Sequence, residues 1–432
     1  MAALDFECPF RSDRFSRNTQ NRRFTQQSDR FQPRRKTGGA ELSSKKQLLQ
    51  GIDLFDFSSL KGKRVALIAN YTSIDKNGFS LVEKMKGSGL NVTAIFSPEH
   101  GYFPVAQDME CVGTENKINN IPVFSLYGAS VETLSPKDEL FDLFDTVIYD
   151  IQDIGSRYYT YLATLAIFMD KLQEIPRELI VFDRINPIGG AFEGSLLDDT
   201  NYKSFVGYVP LFHRHGLTSG EIATYYYKLK KYDFPFKVAR LQGWQRHSFA
   251  DEYDYPWLPT SPNMPTLDTA ILYPGGCLLE GTELSEGRGT TMPFLLAGTH
   301  GIDPFKLKKE LDKENLPGIT FIPMEFRPMF QKQAMKRCGG VYIALSDREK
   351  VRPLRAYITI IQVFRKMLGD TDFFRAKPYE FIDKIPAIDL LLGDKTLIDM
   401  FYNFASSSEI DSYLRKCEES FEEQFKSVRL YD

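Results

Sequence analysis

The chain has no run of about 18 apolar residues, which excludes a transmembrane helix of ordinary length. It carries little charge imbalance, since 54 basic and 57 acidic side chains leave a formal net charge of −3. That balance gives no reason to expect nucleic acid or an anionic membrane as partner. Its 5 cysteines (Cys8, Cys111, Cys277, Cys338, Cys417) are odd in number and scattered. Neither a zinc spacing nor a disulfide framework is visible, so free buried thiols are expected. No GxGxxG fingerprint and no P-loop occurs, which argues against a dinucleotide or nucleoside triphosphate and leaves no cofactor to expect. There is no GxSxG elbow, which weakens a serine-hydrolase reading. No His-rich spacing accompanies the acids, so no metal site is expected either.

The first 47 residues stand apart. Eight arginines fall between Arg11 and Arg35, aliphatic residues are few, and Ser-Asp-Arg-Phe occurs at Ser12–Phe15 and again at Ser28–Phe31. Such a segment cannot bury enough apolar surface to offset chain entropy and is expected to be disordered. It has no apolar h-region and does not read as a secretory signal, so a cytoplasmic location is expected.

At 432 residues the chain is long enough for two domains. From Gly51 strand and helix signals alternate. Strands are predicted over Arg64–Asn70, Asn91–Phe96, Pro122–Tyr127, Thr146–Tyr149 and Glu178–Phe182, with helices at Ser80–Lys86 and Tyr159–Glu174 between them. Strands spaced by helices imply βαβ units and a mostly parallel sheet. After Pro187 come Gly-, Pro- and aromatic-rich segments, read as ordered functional loops over the sheet edge. A smaller α/β region begins near Thr299, with strand signals at Gly318–Ile322 and Gly340–Leu345, a helix from Pro353 to Met367 and a charge-laced helical tail. The expected domains are residues 48–295 and 296–432.

Acidic and polar residues bunch where the predicted strands end. VTAIF runs into Ser97-Pro98-Glu99-His100-Gly101, TVIYD into Asp150–Arg157, and LIVF into Asp183-Arg184-Ile185-Asn186-Pro187. In an open parallel sheet the carboxyl ends of the strands face one crevice where ligands bind. Glu99, constrained between Pro98 and the flexible Gly101 and shielded by aromatic neighbours, suits a general acid. Of Asp150 and Asp153, one is expected to cap the helix that follows and the other to orient a hydroxyl or a water. Glu193 follows a glycine turn, while Glu280, Glu283 and Glu286 crowd the segment Leu279–Thr291. There Gly287-Arg288-Gly289 leaves a guanidinium open to an anion, with three glycines in nine residues permitting close ligand approach. The histidines flanking Arg214 lead into Thr218-Ser219-Gly220-Glu221, a capping-box pattern. Carboxylates set among aromatics and arginines suit a sugar: paired acids for the glycosidic bond, rings as walls, arginine for an acidic substituent.

Seven ordered blocks carry a family resemblance: SPEHG (Ser97–Gly101), DIQDIGSRYYTY (Asp150–Tyr161), DRINPIGG (Asp183–Gly190), SFVG (Ser204–Gly207), RHGLTSGE (Arg214–Glu221), SPNMPT (Ser261–Thr266) and LEGTELSEGRGTT (Leu279–Thr291). From about residue 48 onward the chain resembles the exo-β-N-acetylmuramidase family of bacteria. The resemblance implies a Rossmann-like domain, a smaller C-terminal domain and an active site in the cleft between them. It also implies removal of terminal N-acetylmuramic acid from the non-reducing end of peptidoglycan fragments, with muramoyl saccharides as partners. Proposed catalytic groups in the family are glutamates, and Glu99 matches best. Glu193, Glu286 and Asp153 are the candidates for a second acid on physical grounds. His100, Gln152, Arg157, Tyr159, Asn186, Asn263 and Arg288 are expected to bind substrate, with Arg288 first and Arg157 second as reader of the lactyl carboxylate. The chain departs from the family pattern at Ile185, where proline is common, and at Tyr102-Phe103-Pro104-Val105. Two other classes stay open: a carbohydrate-binding protein without turnover, and a metal-dependent hydrolase using Asp150, Asp153 and His100.

Overall fold

A computed structural model describes residues 45–107, 109–111 and 117–432. Most of the arginine-rich extension, its duplicated tetrapeptide and Cys8 lie outside the described residues. Lys46, expected within that extension, is tied down: its amide donates to Glu252 O at 2.8 Å and its ammonium pairs with Glu252 at 3.0 Å.

The larger sheet holds β1 (Arg64–Ala69), β2 (Asn91–Ser97), β3 (Lys117–Ile118), β4 (Ile121–Ser125), β5 (Thr146–Asp150), β6 (Glu178–Phe182) and β7 (Phe236–Ala239) in the order β3-β4-β2-β1-β5-β6-β7. Every pairing is parallel except that of β3 with β4. Parallel strands need helical crossovers, which cover both faces, so the strands read as continuous apolar runs. In β5 (TVIYD) every residue is buried. The chain runs outward from β1 through β2 to β4, then returns to β5 beside β1 and continues to β7. That reversal opens a crevice at the carboxyl ends of β1 and β5.

Local signals set the helix starts. Ser80 accepts from Glu83 N–H and Thr218 from Glu221 N–H, each within a reciprocal capping box, and the helices Leu81–Gly87 and Ser219–Lys230 follow. The helix expected from Tyr159 starts two residues later, at Tyr161, and neither Asp150 nor Asp153 caps it. Its N-cap position is Thr160, whose side chain makes no cap bond because the hydroxyl donates to Glu99 instead. At the departure from the family pattern, Ile185 uses an N–H that proline lacks to bond Gln50 Oε1 at 3.1 Å.

A second sheet, antiparallel, contains β8 (Leu296–His300), β9 (Ile319–Phe326) and β10 (Cys338–Leu345) in the order β8-β10-β9. The helix Pro353–Leu368 buries Leu354, Tyr357, Ile358, Ile361 and Phe364 at helical spacing. The terminal helix Ser407–Lys426 buries Phe425 against Phe192, Phe212 and Tyr225 of the first half. Burying one such ring stabilises by roughly 1.5–3 kcal/mol. Among the described cysteines Cys277 and Cys338 are buried, whereas Cys111 is exposed, contrary to expectation. Among the described residues no helix is long and apolar enough to cross a membrane.

Candidate active site

β2 ends at Ser97, and the chain turns at once. Gly101 N–H bonds Pro98 O at 3.0 Å, and both His100 (φ 71°) and Gly101 (φ 90°) adopt left-handed backbone. The turn leaves Glu99 only 4% exposed, with Thr160 Oγ1 donating to its Oε2 at 2.5 Å. A carboxylate held by a neutral hydroxyl rather than a salt bridge keeps a face for a proton to come and go. His100 Nδ1 lies 2.9 Å from Ala106 O.

Glu99 and His100 line a narrow pocket with Tyr159, Asn263 and Arg288. Five of the residues expected in the site therefore meet in one place, although they come from widely separated parts of the chain. Tyr159 donates its hydroxyl to Thr260 Oγ1 at 2.6 Å, and Asn263 Nδ2 donates to Gln107 Oε1 at 2.9 Å. Arg288 Nη1 contacts Glu280 at 2.8 Å and Glu286 at 3.1 Å, and the guanidinium stands over the Phe294 ring at 4.8 Å.

The pocket also holds residues that the candidate site set did not include: Tyr158, Thr160, Glu280, Tyr379 and Glu380. Tyr379 donates to Glu280 at 2.6 Å, and Tyr127 donates to Glu380 at 3.2 Å. Glu280 stood in a block already singled out, so its presence there was a usable signal. Tyr379 and Glu380 lie in a segment with no motif, and only the fold brings them in.

The remaining candidates sit elsewhere. Glu193 accepts the amides of Leu354 and Arg355 at 3.2 and 3.1 Å, at the start of the helix Pro353–Leu368. It caps that helix from a distant part of the chain and favours its dipole. Burial pushes the Glu193 carboxyl up, against the pull of Arg352 and the two amides. Glu286 braces Arg288 from behind and pairs with Lys332 at 2.7 Å. Burial raises its carboxyl, but Lys332 and Arg288 outweigh burial and hold it at about 2. A group so acidic is a fixed anion at neutral pH and unsuited to acid–base exchange.

Asp153 accepts from Gly155 N–H at 2.6 Å and lies 3.1 Å from His215 Nε2. Leu217 N–H donates to His215 Nδ1 at 3.2 Å, so the ring proton sits on Nε2 and points to Asp153. Asp150 pairs with Arg184 at 2.5 Å. Together with His100 in the pocket, these aspartates are the ligands of the metal-dependent alternative, and they are not gathered: no group of three or more His, Cys, Asp and Glu side chains among the described residues is placed to hold a metal ion. Arg157 donates to Leu391 O and Leu392 O at 2.5 and 3.4 Å, satisfying the carbonyl end of the helix Ala387–Leu392. Asn186 donates to Leu217 O in a distant loop at 3.1 Å and accepts from Ile188 N–H in its own turn at 3.2 Å. Gln152 lines a different pocket.

The glycines around Arg288 have another use than ligand approach. A Cβ at Gly281 would stand 2.8 Å from Ile388, and one at Gly289 would stand 2.8 Å from the amides of Met329 and Phe330. These glycines let neighbouring segments close on the Arg288 loop and fix it.

Fold and pocket together define a Rossmann-like α/β protein whose two halves share an acid-lined site. The N-terminal model of the exo-β-N-acetylmuramidase NamZ matches residues 65–268, and the C-terminal model matches residues 271–431. The chain belongs to the NamZ exo-β-N-acetylmuramidase family. It is 34% identical over 397 residues to the peptidoglycan β-N-acetylmuramidase NamZ of Bacillus subtilis, covering 90% of this chain and 93% of that one. Two crystal structures of DUF1343 family proteins from Bacteroides fragilis are similar. One has a TM-score of 0.79 at 28% identity, the other 0.70 at 30%, and each alignment covers 89% of this chain and 99% of the other. The pocket draws Glu99, Tyr159 and Asn263 from the first matched half and Glu280, Arg288 and Glu380 from the second.

Proposed function

We propose that the chain is an exo-acting glycoside hydrolase that releases terminal N-acetylmuramic acid from the non-reducing end of peptidoglycan fragments. One observation carries the reading: in a member of this family, Glu99 shares a single pocket with Arg288, Glu280 and the rings of Tyr158, Tyr159 and Tyr379. Glu99 gives a proton to the leaving oxygen of the β-1,4 bond as it breaks. Glu280, paired with Arg288 and accepting from Tyr379, faces the positive charge that develops at the anomeric carbon. Arg288 reads the lactyl carboxylate, because its planar fork matches two carboxylate oxygens. Glu280 and Glu286 set the orientation of that fork before substrate arrives.

The test is release of free N-acetylmuramic acid from a muramoyl-glucosamine disaccharide, with the glucosaminyl-terminated isomer as control. Release from the first alone is the expected outcome. A folded protein that releases neither sugar would leave the pocket as a binding site and sink the hydrolase reading.

A further inference from the structure

The segment that brings Tyr379 and Glu380 to the pocket is a tight turn built from residue types unsuited to it. Tyr379 and Ile382 exchange two backbone hydrogen bonds, each 2.9 Å, around Glu380 and Phe381. Both central residues have positive φ, 45° and 67°. That is the pattern of a type I′ hairpin turn, which strongly prefers Asn-Gly or Asp-Gly. A glutamate and a phenylalanine there hold a backbone conformation that their Cβ atoms disfavour. Such strain persists only where the surroundings over-determine it, and it concentrates at functional sites.

Both side chains of the turn are engaged. The Phe381 ring lies 5.7 Å from that of Tyr127, edge to face, and Tyr127 lies 5.7 Å from Phe205. These contacts seal the turn onto the first half of the chain. Glu380, 3% exposed, accepts from Tyr127 and lines the pocket. Lys377, Pro378, Asp383 and Lys384 on either side are exposed. The chain thus dips from solvent, places one carboxylate in the pocket and climbs out again. Asparagine would suit the backbone better, but its side chain is one methylene shorter.

The pocket is therefore lined by Glu99, Glu280 and Glu380. In the reading above, Glu99 and Glu280 serve the anomeric end of the sugar and Arg288 the lactyl group on O3. The far end of the ring offers hydroxyls at C4 and C6. An ionised carboxylate can only accept, so these O–H donors are what it can take. We propose that Glu380 determines exo specificity by accepting the free 4-hydroxyl of the terminal muramoyl residue. In an internal residue that oxygen carries the next sugar, has no proton to donate and would press its substituent onto the turn. The inference rests on the glycosidase reading for the placement of the ring, and on the strained turn for the choice of residue.

The test is calorimetric titration of wild type and Glu380→Asn with N-acetylmuramic acid and with its 4-deoxy analogue. Asparagine is chosen because it tolerates positive φ and so keeps the turn. Wild type is expected to bind the 4-deoxy sugar roughly 10–10²-fold more weakly, the usual worth of a hydrogen bond to a charged group. Glu380→Asn should lose a similar factor for N-acetylmuramic acid. It should lose nothing more for the 4-deoxy sugar, because both changes remove the same interaction. Losses that multiply, as general damage to the pocket would give, overturn the assignment. So does a wild type that binds the two sugars alike, or binds neither. Because binding needs no turnover, the two readings separate cleanly. Muramic acid release without this coupling defeats the role of Glu380 alone, whereas coupling without release supports that role and defeats the hydrolase.

Discussion

Two stretches of the same sheet edge hold buried acids, and they hold them differently. At the ends of β5 and β6, Asp150, Asp153 and Asp183 are absorbed by the scaffold. Asp183 alone accepts from the amides of Arg184 and Gly220 and the hydroxyls of Thr218 and Tyr431, at 2.9, 2.7, 2.8 and 2.5 Å. Beyond β2, Glu99 takes one hydroxyl and lines an open pocket. Burial lifts the Asp183 carboxyl to about 7 against the pull of Tyr431 and Gly220. A displaced titration is often taken as a sign of function, yet here this displaced aspartate ties down Tyr431, next to the last residue of the chain. On the proposed reading, what separates the acid assigned to catalysis from the structural ones is how few partners it has among the described residues, rather than the depth at which it lies.

The sharpest way to break that comparison is to neutralise one acid from each region. Glu99→Gln is expected to lower kcat/KM for the muramoyl disaccharide by roughly 10²–10⁴-fold, the usual worth of a positioned acid–base group. Its thermal unfolding should match the wild type, because only a hydroxyl bond changes. Activity within a few-fold of wild type would remove Glu99 from the mechanism. Asp150→Ala should do the reverse. It leaves the Arg184 guanidinium, 2% exposed, without its counter-charge and costs roughly 3–5 kcal/mol of stability by denaturant unfolding. An Asp150 variant as stable as wild type would mean that the strand-end acids are not scaffold.

A finer test asks how Glu99 is held. Thr160→Val keeps the shape and removes the hydroxyl that donates to Glu99. That hydroxyl fixes the orientation of the carboxyl, and a misplaced catalytic group loses on the order of tenfold or more, so kcat should fall with KM little changed. Thr160→Ser should restore it. A Ser variant as slow as the Val variant would show that the methyl, and thus packing, is what matters.

The division between the two regions also marks what could be seen in the sequence. The parallel sheet was legible because fully buried strands read as unbroken apolar runs, as in RVALIA and ELIVF, and because Ser80–Glu83 and Thr218–Glu221 announce their helices. Glu99, His100, Tyr159, Asn263 and Arg288 were legible as motif residues. The roles of Glu193, Arg157 and Asp153 were not, since each acts on backbone groups far away in sequence or on a loop whose shape no motif encodes. Glu193 meets the amides of Leu354 and Arg355, and Arg157 the carbonyls of Leu391 and Leu392. A loop acid that caps a distant helix looks, in one dimension, like an acid waiting for substrate. Glu380 is the converse case, a pocket acid with no local pattern at all.

The smallest expected effect bears on Asp183 and sharpens the contrast through pH. Its carboxyl ordinarily titrates near 3.8 and in the fold near 7, so between those values the folded state binds the extra proton. Stability from this group is thus fully present below about pH 4 and is lost as pH rises through 7. Tyr431→Phe removes the hydroxyl that donates to Asp183, costing about 1 kcal/mol at neutral pH. That hydroxyl favours the ionised form, so its loss raises the carboxyl further and should extend the decline above pH 7, and the gap from wild type should widen as pH rises through 7. Denaturant unfolding at several pH values checks this. A gap that is constant across the range would mean that Asp183 keeps one protonation state throughout, and its partners would then be ordinary structural bonds.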